Sequence, residues 1–245
     1  MTDLLPVLVV LAAALWGAAV GAYLPRAAYR FSAPAGEPWR TACPQGHPVR
    51  GWLGRAHCPA CDTGSYGPGV VPLSLATALV CAALAAATGT RPELGVWLLL
   101  APVGVLLAYV DFRVHRLPDP LTLPLAAAAL ALLGVVALVP EHAGEWRTAL
   151  YGALALGGGY FVLFLINPSG MGFGDVKLAL GLGAALGWYG WSTLMLGTFA
   201  GFLLGALYGG ALVVVRKAGR KTAIPFGPFL ISGAFLGLLI GAYTA

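Results

Sequence analysis

The sequence contains very few charged residues. Only 9% of its 245 residues are Asp, Glu, Lys or Arg, whereas 59% are hydrophobic, and the mean hydropathy is +0.85. Soluble globular domains are about 25% charged, so this composition excludes an ordinary soluble enzyme and a disordered protein. With only 14 basic residues, it also disfavours a nucleic-acid binder. It indicates a polytopic membrane protein, whose apolar surface faces the lipid bilayer.

Long apolar runs predict about eight transmembrane helices and therefore an all-α fold. A membrane span needs about 20 mainly apolar residues. Such runs occur at 4–24, 72–88, 94–112, 121–139, 148–167, 177–189, 191–215 and 224–243, the second and sixth being short. The first run lacks the basic start and the small-residue cleavage site of a signal peptide, so we interpret it as a retained helix.

Basic residues concentrate in alternate connections between these runs. All except Arg91 and Arg147 lie in the odd-numbered connections or at the helix start that follows one of them. Loops rich in Lys and Arg stay on the cytoplasmic side. We therefore predict both termini outside and a long cytoplasmic loop at about 25–71.

Cysteine is scarce, and three of the four cysteines lie in this loop. A cytoplasmic loop is reducing, which disfavours disulfides. Cys58 and Cys61 form a C-x-x-C knuckle that can grip one side of a tetrahedral ion, and Cys43 with His47 can supply the other side. A structural zinc site is one interpretation, with His57 as a rival fourth ligand. A loop without metal is the other, because the first half lacks a second cysteine.

Three of the nine acidic residues lie at cytoplasmic ends of predicted spans. Acids in or beside a span are costly and indicate function. Asp119 precedes a helix, and Asp175 opens one, so either can act as a cap at the positive end of the helix dipole. Asp111 ends an apolar helix, where the dipole disfavours a carboxylate. Its presence therefore calls for another explanation.

Two acids at one depth on separate helices predict aspartic protease chemistry. If the carboxyl groups of Asp111 and Asp175 lie close together, they cannot both ionise cheaply and share a proton. One carboxylate then deprotonates a water molecule while the other protonates the peptide carbonyl oxygen. Gly172 and Gly174 lack Cβ atoms, so a substrate strand can approach Asp175.

At these residues the chain resembles the type IV prepilin peptidases, which are membrane aspartic proteases with a Gly-x-Gly-Asp motif. Four segments carry the resemblance over nearly the whole chain: Gly17–Arg26, Asp111–Pro124, Met171–Leu178 and Ile224–Leu230. The resemblance implies that Asp111 and Asp175 are the catalytic pair. It implies supporting roles for Gly172, Gly174, Lys177, Pro118 and Asp119, with Asp119 outside the catalytic pair.

The resemblance also implies a substrate and a division of the chain. The substrate is a prepilin or pseudopilin precursor, cut after a short basic leader at the cytoplasmic face of a prokaryotic plasma membrane. The peptidase core would occupy 72–245 and need no cofactor. The region 1–71 resembles the part that methylates the new N-terminus with S-adenosylmethionine. Its reduced Cys pattern and the Ala-Tyr-Leu-Pro segment at 22–25 depart from the family, which leaves methylation open.

Two functions of other classes remain as alternatives. A transporter predicts acids near the bilayer midplane and paired broken helices in two halves. A non-catalytic pilus or secretion assembly factor predicts aspartates that can be replaced freely.

Overall fold

The computed structural model describes residues 4–61, 64–168, 170–215 and 224–245, and these residues form nine helices and no strand. The helices are α1 (Leu4–Gly21), α2 (Leu24–Phe31), α3 (Val70–Thr88), α4 (Glu93–Val114), α5 (Asp119–Val136), α6 (Trp146–Ile166), α7 (Phe173–Trp188), α8 (Trp191–Val214) and α9 (Gly227–Thr244). The prediction of an all-α membrane protein is confirmed.

Each of the eight apolar runs coincides with a helix, but only seven of these helices are long and apolar enough to cross a membrane. The exception is α7, which has 16 residues. At 1.5 Å per residue it measures about 24 Å, less than the bilayer core of about 30 Å. It also begins at Phe173 rather than at 177, because Gly172 to Lys177 already form its first turn.

The long loop contains a helix that the sequence analysis missed. Leu24, Ala27, Ala28 and Phe31 form the buried face of α2, and Pro25 lies in its first turn. A proline at a helix start and apolar residues at this spacing are the signals that indicate such a helix. The eight-residue length kept it below the threshold for a span.

The most enclosed helix is α7, which packs against α5, α6, α8 and α9. Small residues let it approach α6 closely: a Cβ atom on Gly152 would lie 2.5 Å from the carbonyl oxygen of Gly183. Such small-residue contacts are typical of helix pairs in membranes. The first turn of α7 is thereby held inside the bundle.

The outer surface of the bundle is apolar. Leu15, Val71 and Val214 are 72%, 74% and 83% exposed, respectively. Side chains of this kind face lipid in a membrane protein. The protein interior therefore lies around α4, α7 and α9, and the polar groups found there need a separate explanation.

Candidate active site

Asp111 lies in the last turn of α4 and is buried, with 5% exposure. Its Oδ2 atom accepts a 3.0 Å hydrogen bond from the backbone N–H of Gly227, the first residue of α9. The positive end of the α9 dipole therefore faces the carboxylate. This arrangement offsets the unfavourable dipole of α4 and explains how an acid can end an apolar helix.

Asp175 is the third residue of α7 and is also buried, with 7% exposure. The backbone N–H of Gly172 donates a 3.1 Å hydrogen bond to its Oδ2 atom, while its own N–H donates to the Gly172 carbonyl oxygen at 3.0 Å. This reciprocal pair is a capping arrangement at the start of α7. The local sequence thus fixes the carboxylate at the helix end.

The two aspartates come from distant segments but meet at one site. They lie close enough for their negative charges to repel each other. Leu117 lies between the two segments that hold the aspartates. A Cβ atom built on Gly174 would lie 2.9 Å from the Leu117 side chain, and one built on Gly227 would lie 3.3 Å from it. The arrangement thus brings together two buried carboxylates, each with one backbone N–H donor.

The two glycines before Asp175 have different surroundings. A Cβ atom on Gly172 would meet its nearest neighbour, Asp175, at an ordinary 3.5 Å. Gly174, in contrast, packs directly against Leu117. The expectation that Gly174 leaves room for substrate is therefore replaced by a packing role, since the space is already filled by the protein itself.

Asp119 and Lys177 form an ion pair, with Nζ and Oδ2 2.7 Å apart. Asp119 is the first residue of α5, and Pro118 is the N-cap residue before it. The acid side chain caps no backbone group of α5 among the described residues and turns instead towards α7. The pair therefore links the helix after the hairpin to the helix that carries Asp175.

The hairpin between α4 and α5 is also tied to the long loop. The Arg116 guanidinium donates hydrogen bonds to the carbonyl oxygens of Pro34 and Glu37 at 2.9 Å and 3.0 Å. It also lies 3.9 Å from the centre of the Trp39 ring. The loop and the hairpin beside Asp111 are thus one connected unit.

Within the loop, Cys43, His47, Cys58 and Cys61 form a cluster whose ligand atoms all lie within 4.8 Å of one another. The His47 Nδ1 atom lies 3.6 Å, 3.8 Å and 3.4 Å from the sulfurs of Cys43, Cys58 and Cys61. Tetrahedral zinc bonds of about 2.0–2.3 Å place neighbouring ligands about 3.5–3.8 Å apart. The geometry therefore fits a structural zinc ion, which these four residues would hold.

Two tight turns present these ligands. Gly46 and Gly64 have φ angles of +88° and +65°, which glycine adopts without strain. Burial opposes ionisation of Cys43, but hydrogen bonds from the Cys61 thiol and from backbone groups outweigh it and lower the pKa of Cys43, whereas burial raises the pKa of Cys61. A low thiol pKa favours the thiolate form that binds metal. His57, the rival ligand, is exposed and lies outside the cluster.

An apolar cavity of about 250 Å³ lies deeper in the bundle. Its walls include Ala108 of α4, Leu182 of α7 and Ile231 of α9. Asp111, Asp175 and Gly227 are three, seven and four residues away from these wall residues along the same helices, at spacings that share a helix face. The cavity therefore lies about one to two helical turns from the acid pair on α4, α7 and α9, although neither aspartate lines it.

Comparison with known proteins links this geometry to a family. Residues 98–210 match the type IV leader peptidase family. A prepilin leader peptidase/N-methyltransferase of Aeromonas salmonicida is 33% identical over 223 residues, which cover 82% of this chain and 72% of the relative. The chain belongs to the type IV leader peptidase family.

Two further relatives carry the same name. The protein of Pseudomonas aeruginosa is 33% identical over 220 residues, covering 82% of this chain and 71% of the relative. The protein of Aeromonas hydrophila is 34% identical over 227 residues, covering 82% and 72%. No solved structure matches the chain.

Sequence reasoning missed two residues of the site. Gly227 lies in a motif that resembled the family but carried no assigned role, and its donor is a backbone group that no side-chain pattern reveals. Arg116 was counted only as a positive loop charge. Its place beside Pro118 in a short hairpin was the available signal for a structural role.

Proposed function

We propose that the chain is a membrane aspartic endopeptidase that removes the short basic leader of prepilin or pseudopilin precursors. The observation that carries this proposal is the buried pair Asp111 and Asp175, held at two helix ends. The names of the relatives support the same substrate class.

In the proposed reaction the two carboxyls act as one unit that shares a proton. One carboxylate takes a proton from a water molecule, whose oxygen attacks the scissile carbonyl carbon. The other carboxyl donates its proton to the carbonyl oxygen, which gives a tetrahedral diol. The first carboxyl then gives the proton it took from water to the amine nitrogen as the C–N bond breaks, and the second carboxylate takes a proton back from the diol as the new acid forms. The backbone N–H groups of Gly172 and Gly227 hold the two side chains in place and favour negative charge on them.

The substrate must reach this pair in an extended form, because helical backbone groups are hydrogen-bonded to one another. We propose that the apolar segment after the scissile bond enters the cavity lined by Ala108, Leu182 and Ile231. The leader then projects past the hairpin that contains Arg116.

The distribution of charge supports a proposal for the position of the site in the membrane. Basic residues of the loop and hairpin, including Arg26, Arg30 and Arg116, lie on the side of the acid pair. Because such loops remain cytoplasmic, we propose that cleavage takes place at the cytoplasmic face of the plasma membrane. If the short helix α7 is counted as an eighth span, as the sequence predicts, the proposal places both termini outside.

The region 1–71 is proposed to be a zinc-stabilised unit attached to the peptidase core at 72–245. The relatives are named as N-methyltransferases as well as peptidases. Methylation of the new N-terminus with S-adenosylmethionine is therefore the second candidate activity, assigned to this region.

Incubation of the purified protein with a prepilin tests the function. Mass spectrometry should show one cut after the basic leader, and a methylated product would appear only when S-adenosylmethionine is added. An uncut precursor, under conditions where a relative cleaves it, would refute the proposal.

The placement of the apolar segment has its own test. Ala108→Phe fills the cavity and should raise KM about tenfold or more, because the lost burial of a few methylene groups amounts to about 1–3 kcal/mol. Ala127→Phe, on the exposed face of α5, is the matched control and should leave KM unchanged. Equal KM values for the two variants would place the segment elsewhere.

A further inference from the structure

The hydroxyl group of Tyr160, on α6, is buried without a hydrogen-bond partner among the described residues. The side chain as a whole is 2% exposed. Buried tyrosine hydroxyls nearly always have a partner, since leaving one unpaired is costly. Such an orphan group therefore needs a specific explanation.

The register of α6 and α7 places Tyr160 opposite the first turn of α7. The two helices run antiparallel, with Gly152 against Gly183 and Gly157 against Leu180. Continuing this register by one turn brings Tyr160 alongside Asp175. In agreement, the Tyr160 hydroxyl lies within electrostatic range of the Asp175 carboxylate.

The Tyr160 ring also packs against two other aromatic rings. Its ring centre lies 5.8 Å from that of Phe202 and 6.3 Å from that of Phe226. Phe226 immediately precedes Gly227, which donates its N–H to Asp111. Tyr160 is thus packed between the segments that hold the two acids. These contacts involve only its ring, so the hydroxyl is not needed for them.

We propose that Tyr160 is a positioning residue of the acid pair, whose hydroxyl donates a hydrogen bond to the Asp175 carboxylate when substrate is bound. The Oδ2 atom of Asp175 already accepts the Gly172 N–H, so the hydroxyl serves Oδ1. With both oxygens held, the carboxyl cannot rotate away from the scissile bond. This inference rests on the proposed peptidase function.

The test is Tyr160→Phe, which removes the hydroxyl and keeps the ring. We expect kcat to fall about 10- to 100-fold, the range that a hydrogen bond to a charged group represents. KM should stay at the wild-type value and the melting temperature should not fall, because the hydroxyl has no partner among the described residues and its removal ends the cost of burying it unpaired. Tyr151→Phe is the matched control, since Tyr151 lies on the same helix and is exposed.

Two results would overturn the inference. One is a wild-type kcat for Tyr160→Phe. The other is a loss of activity matched by a lower melting temperature, which would make the hydroxyl structural. Both are distinct from failure of the proposed function, in which the wild-type protein itself does not cleave a prepilin.

Discussion

Gly227 and Asp111 are 116 residues apart in the chain, yet the N–H of Gly227 donates a 3.0 Å hydrogen bond to the Asp111 carboxylate. A Cβ atom on Gly227 would lie 2.8 Å from Oδ2 of Asp111, so only glycine brings the backbone this close. The C-terminal helix therefore contributes directly to the site, although it supplies no acid.

Replacement of either acid should abolish cleavage. Asp111→Asn and Asp175→Asn keep the shape of the side chain but cannot exchange a proton with water. Because the two carboxyls act as a unit in the proposed mechanism, each variant should lose several orders of magnitude in kcat. Activity of the purified variants, with circular dichroism to establish that they are folded, measures this. Substantial turnover by either variant would remove that residue from the catalytic pair.

Asp119→Asn should retain most of the activity. The substitution removes the ion pair with Lys177, but Asp119 is more than half exposed, and exposed ion pairs contribute at most about 1 kcal/mol. The same cleavage assay checks the prediction, with protein abundance measured in parallel. If Asp119→Asn is as inactive as Asp111→Asn at normal abundance, the roles of the two acids must be exchanged.

The cluster in the loop should bind one zinc ion per chain. Metal analysis of the purified protein should find zinc, and Cys58→Ser should reduce it and lower the melting temperature, because the loop has little apolar core of its own. His57→Ala is the control and should leave both unchanged, since His57 lies outside the cluster. Absence of zinc, with unchanged stability of Cys58→Ser, would show that the loop works without metal.

Gly174→Val should give a folded, inserted and inactive protein. The valine side chain would collide with Leu117, which also touches Gly227, so both acids shift. Overpacking costs about 1–3 kcal/mol, and a displacement of about 1 Å reduces turnover about 100-fold. Phe173→Leu should be tolerated because Phe173 is partly exposed. A normal cleavage rate for Gly174→Val would contradict this packing role.

Much of the architecture could be predicted because its signals are local. Long apolar runs indicate helices wherever they occur, and Asp111 and Asp175 stand out as acids in an apolar background. The C-x-x-C pair at Cys58 likewise favours a metal site through its spacing, although a loop without metal remained an alternative.

The remaining features depend on contacts between distant segments. No local pattern shows that Gly174 packs against Leu117 rather than facing substrate. The sequence likewise cannot show that the Tyr160 hydroxyl has no partner among the described residues, because a tyrosine among apolar residues usually indicates only a core position. The short helix α2 was not predicted for another reason, because its pattern of apolar residues extends over only eight residues.

The hydrogen bond from Gly227 also has a consequence for the order in which the enzyme matures. Proteins are made from the N-terminus, so α4 and α7, with both acids, enter the membrane before residue 227 leaves the ribosome. A nascent chain that has completed only α8 carries both carboxyls but lacks the donor that holds Asp111. Under the proposed mechanism, α9 must therefore be in place before the acid pair can act.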